Sequence, residues 1–152
     1  MNTGLVQSIA DLSSRWRSRF SRSKELSEHL QIGARGEKLA CVFLKHNGYK
    51  ILYRNFRARR GGEVDVICRD EDTLVFVEVK TRTSEDFGRP FEAVNVAKQR
   101  LISRGALAWL QLLDNPDILF RFDVVEIILS RDGQPRVELL RDAFKLAPPY
   151  IY

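Results

Sequence analysis

The chain has 152 residues, 44% of them hydrophobic, which suffices for one ordinary domain and is too short for two. Its net charge of +5 permits an anionic partner without requiring one. Cys41 and Cys68 form no CxxC or Cys/His cluster, which argues against zinc and a disulfide framework, and neither a membrane span nor a signal peptide is visible. We therefore expect a cytoplasmic protein with reduced thiols.

Residues 1–30 are the first predicted segment, an amphipathic leader helix or a flexible arm. Apolar residues recur at the three- and four-residue spacing of a helix. They are Leu5, Ile9, Leu12, Trp16 and Phe20. The interspersed basic residues suit nucleic acid or an anionic membrane, and they suit a mobile leader or a partner-docking helix equally well. These are Arg15, Arg17, Arg19, Arg22 and Lys24.

Residues 31–147 are predicted to form a single domain, followed by a C-terminal tail at 148–152. Its first helix covers 31–46 and ends at Asn47-Gly48, where glycine provides a stop signal. The later elements are strands at 49–56, 61–67 and 74–80, a helix at 95–113, and strands at 120–129 and 136–140. The loop at 81–91 and the turn at 131–134 contain glycine. The order αβββαββ indicates an α/β protein.

The second and third strands form a predicted hairpin with charged residues inside apolar runs. Burying charge is costly without a partner or a metal ion. A turn centred on Glu71-Asp72 sets Asp65 opposite Glu78, and Glu63 opposite Lys80. Opposed side chains have Cβ atoms about 5 Å apart, so two carboxylates repel unless a cation lies between them. The pattern therefore predicts a divalent metal site at Asp65 and Glu78.

Two carboxylates and a lysine suit phosphodiester hydrolysis. A hard ion such as Mg²⁺ or Mn²⁺ prefers oxygen ligands, polarises a phosphate and lowers the pKa of water. Lys80 projects from the same strand face as Glu78, where it can orient water or neutralise charge on the phosphorus. Glu63 is either a further ligand or the ion-pair partner of Lys80, and we favour the ion pair. Asp123, inside an apolar strand, is expected to be a structural hydrogen-bonding residue.

The segment Glu63-Val64-Asp65, followed after twelve residues by Glu78-Val79-Lys80, resembles the PD-(D/E)xK nuclease core. More of residues 31–129 is similar to the YraN-like family of small bacterial proteins. The similar segments, in chain order, are Gly33-Ala34-Arg35-Gly36-Glu37, 62–65, 75–82, Lys98-Gln99-Arg100 and 121–125. This resemblance implies a restriction-endonuclease-like fold, with a mixed central sheet flanked by helices, as in Holliday junction resolvases and tRNA-splicing endonucleases.

The resemblance also implies roles for individual residues. Asp65 and Glu78 match the metal-binding carboxylates, and Lys80 matches the catalytic lysine. Glu37 matches an acidic residue that resolvase-like proteins supply from their first helix, and Gln99 resembles a glutamine of their later helix. Without the resemblance, Glu37 is an ordinary glutamate near a helix N-terminus and Gln99 is an ordinary surface residue.

Arginines flank the acidic hairpin and predict an interface with the phosphate backbone. They are Arg54, Arg57, Arg59, Arg60, Arg82 and Arg89. A solvated basic loop is the alternative for any one of them. Because no base-reading helix motif is present, we expect a shape- or junction-selective binder, with DNA favoured over RNA. Resolution of a junction needs two incisions, which suggests a homodimer.

The leading hypothesis is therefore a Mg²⁺- or Mn²⁺-dependent endonuclease acting on structured or branched DNA. A non-cleaving nucleic-acid-binding module with the same fold is one alternative. An interaction protein that docks through residues 1–30 is another, and it predicts that Asp65 is dispensable while the leader is not.

Overall fold

A computed structural model describes residues 3–83, 94–130 and 134–152, with side chains in these ranges from residue 25 onward. The chain divides into two compact units, Met1–Arg35 and Gly36–Tyr152. Its elements are α1 (Thr3–His46), β1 (Lys50–Arg57), β2 (Glu63–Asp70), β3 (Thr73–Arg82), α2 (Val96–Leu112), β4 (Phe120–Ile128) and β5 (Arg136–Phe144). Helix α1 includes both segments that the sequence predicts as helical. In these described ranges no helix has the length and apolar content needed to cross a membrane.

The five strands form one mixed sheet in the order β1-β2-β3-β4-β5. Three neighbouring pairs are antiparallel, whereas β3 and β4 are parallel. A parallel pair needs a long crossover connection, and α2 lies within the one that joins β3 to β4. The predicted α/β fold, with its αβββαββ order and a mixed sheet flanked by helices, is confirmed.

Helix α2 packs against the sheet through a stripe of apolar residues at helical spacing. Ile102, Ala106 and Leu110 are fully buried and belong to the main hydrophobic cluster. The helix begins after Asn95, whose side-chain oxygen accepts the backbone N–H of Lys98 at 2.9 Å. This N-cap satisfies one of the donors that a helix start leaves unpaired, and it fixes the first turn of α2.

Two glycines allow α2 to lie directly against the start of β2. Gly62 has a φ of +110°, and a Cβ atom there would lie 2.6 Å from the backbone nitrogen of Gly105. A Cβ atom at Gly105 would lie 2.9 Å from the carbonyl oxygen of Glu63. Because any larger residue would collide with backbone, this contact sets how closely the helix approaches β2.

The C-terminal part of α1 approaches β3 at another glycine. Gly36 is buried, and a Cβ atom there would lie 1.8 Å from the side-chain oxygen of Thr81. The helix ends as predicted at Asn47-Gly48, where Gly48 has a φ of +86° and donates its N–H to the carbonyl of Lys45.

Strand β5 is longer than the sequence predicts. It continues beyond Leu140 to Phe144, with a register shift opposite Phe122. Asp142, at a φ of 52°, donates its N–H to the Asp123 side chain at 2.9 Å. This long-range bond holds the strand where local sequence predicts an end. The predicted loop at 81–91 begins later, because Thr81 and Arg82 pair with β4 as part of β3. The rest of that loop from 84 and most of the predicted turn at 131–134 lie outside the described residues.

Candidate functional site

Strands β2 and β3 pair in the register that the sequence predicts. The paired positions run from Val66 opposite Val77 down to the turn. On the side of Val66 away from the turn, the backbone pairing stops. There the Asp65 side chain bonds to β3, because its Oδ2 atom accepts the N–H of Val79 at 2.8 Å. Asp65 is thereby held beside the segment that contains Glu78, as predicted.

Glu78 is a buried carboxylate next to another carboxylate. Only 9% of its side chain is exposed, and its Oε2 atom has no hydrogen-bond partner among the described residues. Burial raises the pKa of Glu78, and the negative charge of Asp65 raises it further, to about 8, although Lys98 acts in the opposite direction. The pair therefore resists full ionisation unless a cation compensates its charge.

These properties fit a hard divalent cation, because such ions prefer carboxylate oxygens and compensate the charge of two neighbouring carboxylates. Asp65 and Glu78 could hold the ion. Over the described ranges, no group of three or more His, Cys, Asp or Glu side chains is arranged to bind a metal. The candidate site therefore rests on two carboxylates and the lysines around them.

Glu63 lies at the start of β2 between two cations. Its Oε1 atom is 2.6 Å from Lys98 Nζ, and its Oε2 atom is 2.6 Å from Arg57 Nη1. The hydrogen bond from Lys98 is the largest cause of the lowered pKa of Glu63. The sequence predicts Lys80 as its ion-pair partner, whereas the cations found at these two oxygens are Lys98 and Arg57. Helix α2 thus supplies one of the two cations at the Glu63 oxygens, and the strand before β2 ends with the other.

Lys98 is the site residue that the sequence reasoning missed. Its Nζ atom lies 2.6 Å from Glu63 and 3.3 Å from Oε2 of Glu78, and 26% of its side chain is exposed. A signal for it was present, because Lys98 precedes Ile102 by four residues and Gly105 by seven. It therefore extends the core-facing stripe of α2, where a lysine needs an anionic partner.

Lys80 and Arg82 adjoin a second buried carboxylate. Glu126 of β4 is the register partner of Lys80 and is fully buried. Arg82 Nε lies 2.6 Å from Oε1 of Glu126, so the guanidinium proposed to contact phosphate also neutralises an internal charge. Glu126 interrupts an apolar run, as Asp65 and Glu78 do, and the same pattern could have identified it.

The two helix residues implicated by the family resemblance differ in their surroundings. Glu37 is partly buried and follows Gly36, which lies against Thr81 of β3. Gln99 donates its side-chain N–H to the carbonyl of Val94 at 2.7 Å. Its amide therefore braces the backbone just before Asn95, the N-cap of α2.

The arginines predicted to bind phosphate lie in different environments. Arg54, Arg59 and Arg60 are exposed. Arg57 is 77% exposed even though it contacts Glu63. Arg89 lies outside the described residues. The exposed positive charge closest in sequence to the acidic strand therefore comes from Arg57, Arg59 and Arg60.

A separate charged cluster lies at the turn end of the hairpin. Asp123 is fully buried and accepts the Nε–H of Arg121 at 2.9 Å. Arg121 also donates to Asp70 at 2.7 Å, and Arg141 donates to the Tyr49 hydroxyl at 2.9 Å and to Asp70 at 2.6 Å. These bonds confirm the structural role predicted for Asp123 and leave it outside the candidate site.

Comparison with known proteins assigns this chain to a family. Residues 36–127 match the profile described as "Uncharacterised protein family UPF0102". The chain belongs to the UPF0102 family. A UPF0102 protein of Geobacter sulfurreducens is 50% identical over 124 residues, covering 81% of this chain and 96% of the relative.

Two further UPF0102 relatives also align with most of this chain and with nearly their whole length. The protein of Geobacter metallireducens is 51% identical over 117 residues, covering 76% of this chain and 93% of the relative. The protein of Rhodococcus opacus is 45% identical over 119 residues, covering 78% of this chain and all of the relative. The predicted YraN-like membership is confirmed. Every candidate residue from Glu37 to Gln99 falls inside the range that matches the UPF0102 profile.

Proposed function

We propose that this protein is a metal-dependent endonuclease with a restriction-endonuclease-like core, which binds nucleic acid and hydrolyses phosphodiester bonds in structured or branched DNA. The observation that carries the proposal is the carboxylate pair Asp65 and Glu78. Glu78 is buried, its Oε2 atom has no hydrogen-bond partner within the described ranges, and its pKa is raised to about 8. A divalent cation would compensate the charge of this pair and so favour the ionised form of Glu78.

In this proposal, Asp65 and Glu78 would hold Mg²⁺ or Mn²⁺, whose positive charge would polarise a phosphate. The N–H of Val79 fixes one oxygen of Asp65, which orients this carboxylate before any ligand binds. Lys80 follows Glu78 by two residues on β3, where its ammonium group would orient the attacking water or stabilise charge on the phosphate.

Exposed arginines provide the proposed contacts with the nucleic-acid backbone. Arg59 and Arg60 are exposed and directly precede Gly61-Gly62 and the acidic strand β2. Contacts of this kind release counterions, so binding should weaken steeply as salt rises. A cytoplasmic location and a homodimer, which would make two incisions in one junction, belong to the same proposal.

The decisive experiment compares wild type with Asp65→Asn on single-stranded, duplex, flap and four-way-junction DNA, with Mg²⁺, Mn²⁺ or EDTA. Asp117→Asn is the matched control, because Asp117 is an exposed carboxylate outside the site. We expect metal-dependent cleavage of branched DNA by wild type and the control, and a loss of about 100-fold or more in Asp65→Asn. Cleavage that persists in EDTA or in Asp65→Asn would contradict the metal mechanism.

Measuring DNA binding at several salt concentrations beside cleavage separates the nuclease from a non-cleaving binding module. Salt-sensitive binding by wild type without cleavage under any metal condition would support the module. Binding that does not change between low and moderate salt would contradict the proposed phosphate contacts.

A further inference from the structure

One lysine lies between two acidic side chains at unequal distances. Lys98 Nζ is 2.6 Å from Glu63, a hydrogen-bonding distance, but 3.3 Å from Oε2 of Glu78. That Glu78 oxygen has no hydrogen-bond partner in the part of the chain that the structure describes. Lys98 thus makes a short hydrogen bond with Glu63 and a longer ion pair with Glu78.

Glu63 and Glu78 differ in how many of their carboxylate oxygens already have a close cationic partner. Both oxygens of Glu63 have a cation at 2.6 Å, namely Lys98 and Arg57. Glu78 is more deeply buried, with 9% of its side chain exposed against 27% for Glu63. A divalent cation therefore gains more from Glu78, whereas binding to Glu63 would displace existing ion pairs.

The backbone around Lys98 keeps its ammonium group within reach of both acids. Asn95 caps the helix through the N–H of Lys98 itself. Two turns later, the close approach of Gly105 to Gly62 fixes α2 against the start of β2. The flexible lysine stem can then move its head group between Glu63 and Glu78 without moving the helix.

We propose that Lys98 is a built-in competitor for the cation at Glu78, and that Glu63 acts by holding Lys98 away from Glu78 rather than by binding the cation. This inference rests on the proposed metal function and goes beyond it, because it assigns opposite effects to two residues. Removing Lys98 strengthens cation binding, since it removes both a competing positive charge and electrostatic repulsion of the ion. Removing the Glu63 charge releases Lys98 towards Glu78 and weakens cation binding.

The test measures Mn²⁺ binding by titration calorimetry on the full chain. The variants are Lys98→Gln, Glu63→Gln and their double variant, with Asp65→Asn to identify the site and Lys50→Gln as a matched loss of an exposed positive charge. We expect about tenfold tighter Mn²⁺ binding in Lys98→Gln and several-fold weaker binding in Glu63→Gln, against an unchanged control. In the Lys98→Gln background, Glu63→Gln should weaken Mn²⁺ binding far less than it does in wild type.

Three sets of results overturn the inference in distinguishable ways. Absence of Mn²⁺ binding in wild type, or binding unaffected by Asp65→Asn, removes the metal site and the Lys98 inference with it. Binding that Asp65→Asn abolishes but Lys98→Gln leaves unchanged or weakens keeps the metal site and refutes the role of Lys98. A loss caused by Glu63→Gln that keeps its full size in the Lys98→Gln background refutes the positioning role and makes Glu63 a ligand. Urea unfolding checks each variant, and Lys98→Met replaces Lys98→Gln if the latter does not fold.

Discussion

Replacing Glu78 with glutamine should make the metal-free protein more stable. Burial and the charge of Asp65 raise the Glu78 pKa from 4.5 to about 8. The folded state therefore binds more protons than the unfolded state between these pH values. Its stability falls as pH rises through this window, and the loss is complete above the folded pKa. Glutamine has the same shape and carries no charge, so it removes this penalty.

The magnitude follows from the pKa shift. Each pKa unit corresponds to about 1.4 kcal/mol, so a shift from 4.5 to about 8 sets an upper limit of roughly 5 kcal/mol above pH 8. At pH 7 the same calculation gives roughly 3 kcal/mol. Water entry and local relaxation reduce such values, so we expect Glu78→Gln to gain about 2 kcal/mol at pH 7 and almost nothing below pH 4.

The assay is urea unfolding in EDTA between pH 4 and pH 8.5, with Asp117→Asn as the control for an exposed carboxylate. The control should change the free energy of unfolding by less than about 0.5 kcal/mol at any pH. Added Mn²⁺ should stabilise wild type by mass action and have no such effect on Glu78→Gln. A Glu78→Gln gain that does not depend on pH, or a loss of stability at pH 7, would refute the reasoning.

Three other predictions test the fold and the binding surface. Gly36→Ala should cost about 2 to 3 kcal/mol in urea unfolding, because its Cβ would lie 1.8 Å from a threonine oxygen of β3; an unchanged midpoint would contradict this contact. Asp123→Ala should cost about 3 kcal/mol, because it deprives Arg121 of a buried partner; a loss under about 0.5 kcal/mol would show that the pair is dispensable. The double variant Arg59→Gln/Arg60→Gln should lower the slope of log affinity for DNA against log salt by about 2, as measured by fluorescence anisotropy, and an unaltered slope would remove both arginines from the interface.

Local features of the sequence predicted the elements and the centre of the site. Apolar spacing located both helices, and the polar turn at Glu71-Asp72 set the register of β2 and β3. The proximity of Asp65 to Glu78 follows from that register and from the alternation of side chains along a strand. These inferences succeeded because they depend on residues close together in the chain.

The features of the fold and site that the sequence did not predict depend on contacts between distant segments of the chain. Lys98 meets Glu63 only because α2 packs on β2, and no turn or spacing rule specifies that approach. The ion pair between Arg82 and the buried Glu126 arises from the parallel alignment of β3 and β4, which are joined by a long crossover. Strand β5 extends past Leu140 with the help of a bond from Asp142 to Asp123. In each case tertiary contact decides what local propensity leaves open.

The contact between Gly62 and Gly105 has a consequence for how this site can be found by mutation. A methyl group added at Gly105 would press on the carbonyl of Glu63 and lift α2 from the strand. This displacement would move Lys98 away from Glu63 and Glu78 without replacing any charged residue. Because Lys98 competes with the cation, substitution of Gly62 or Gly105 should tighten cation binding, as Lys98→Gln does, whereas substitution of Asp65 or Glu78 should weaken it.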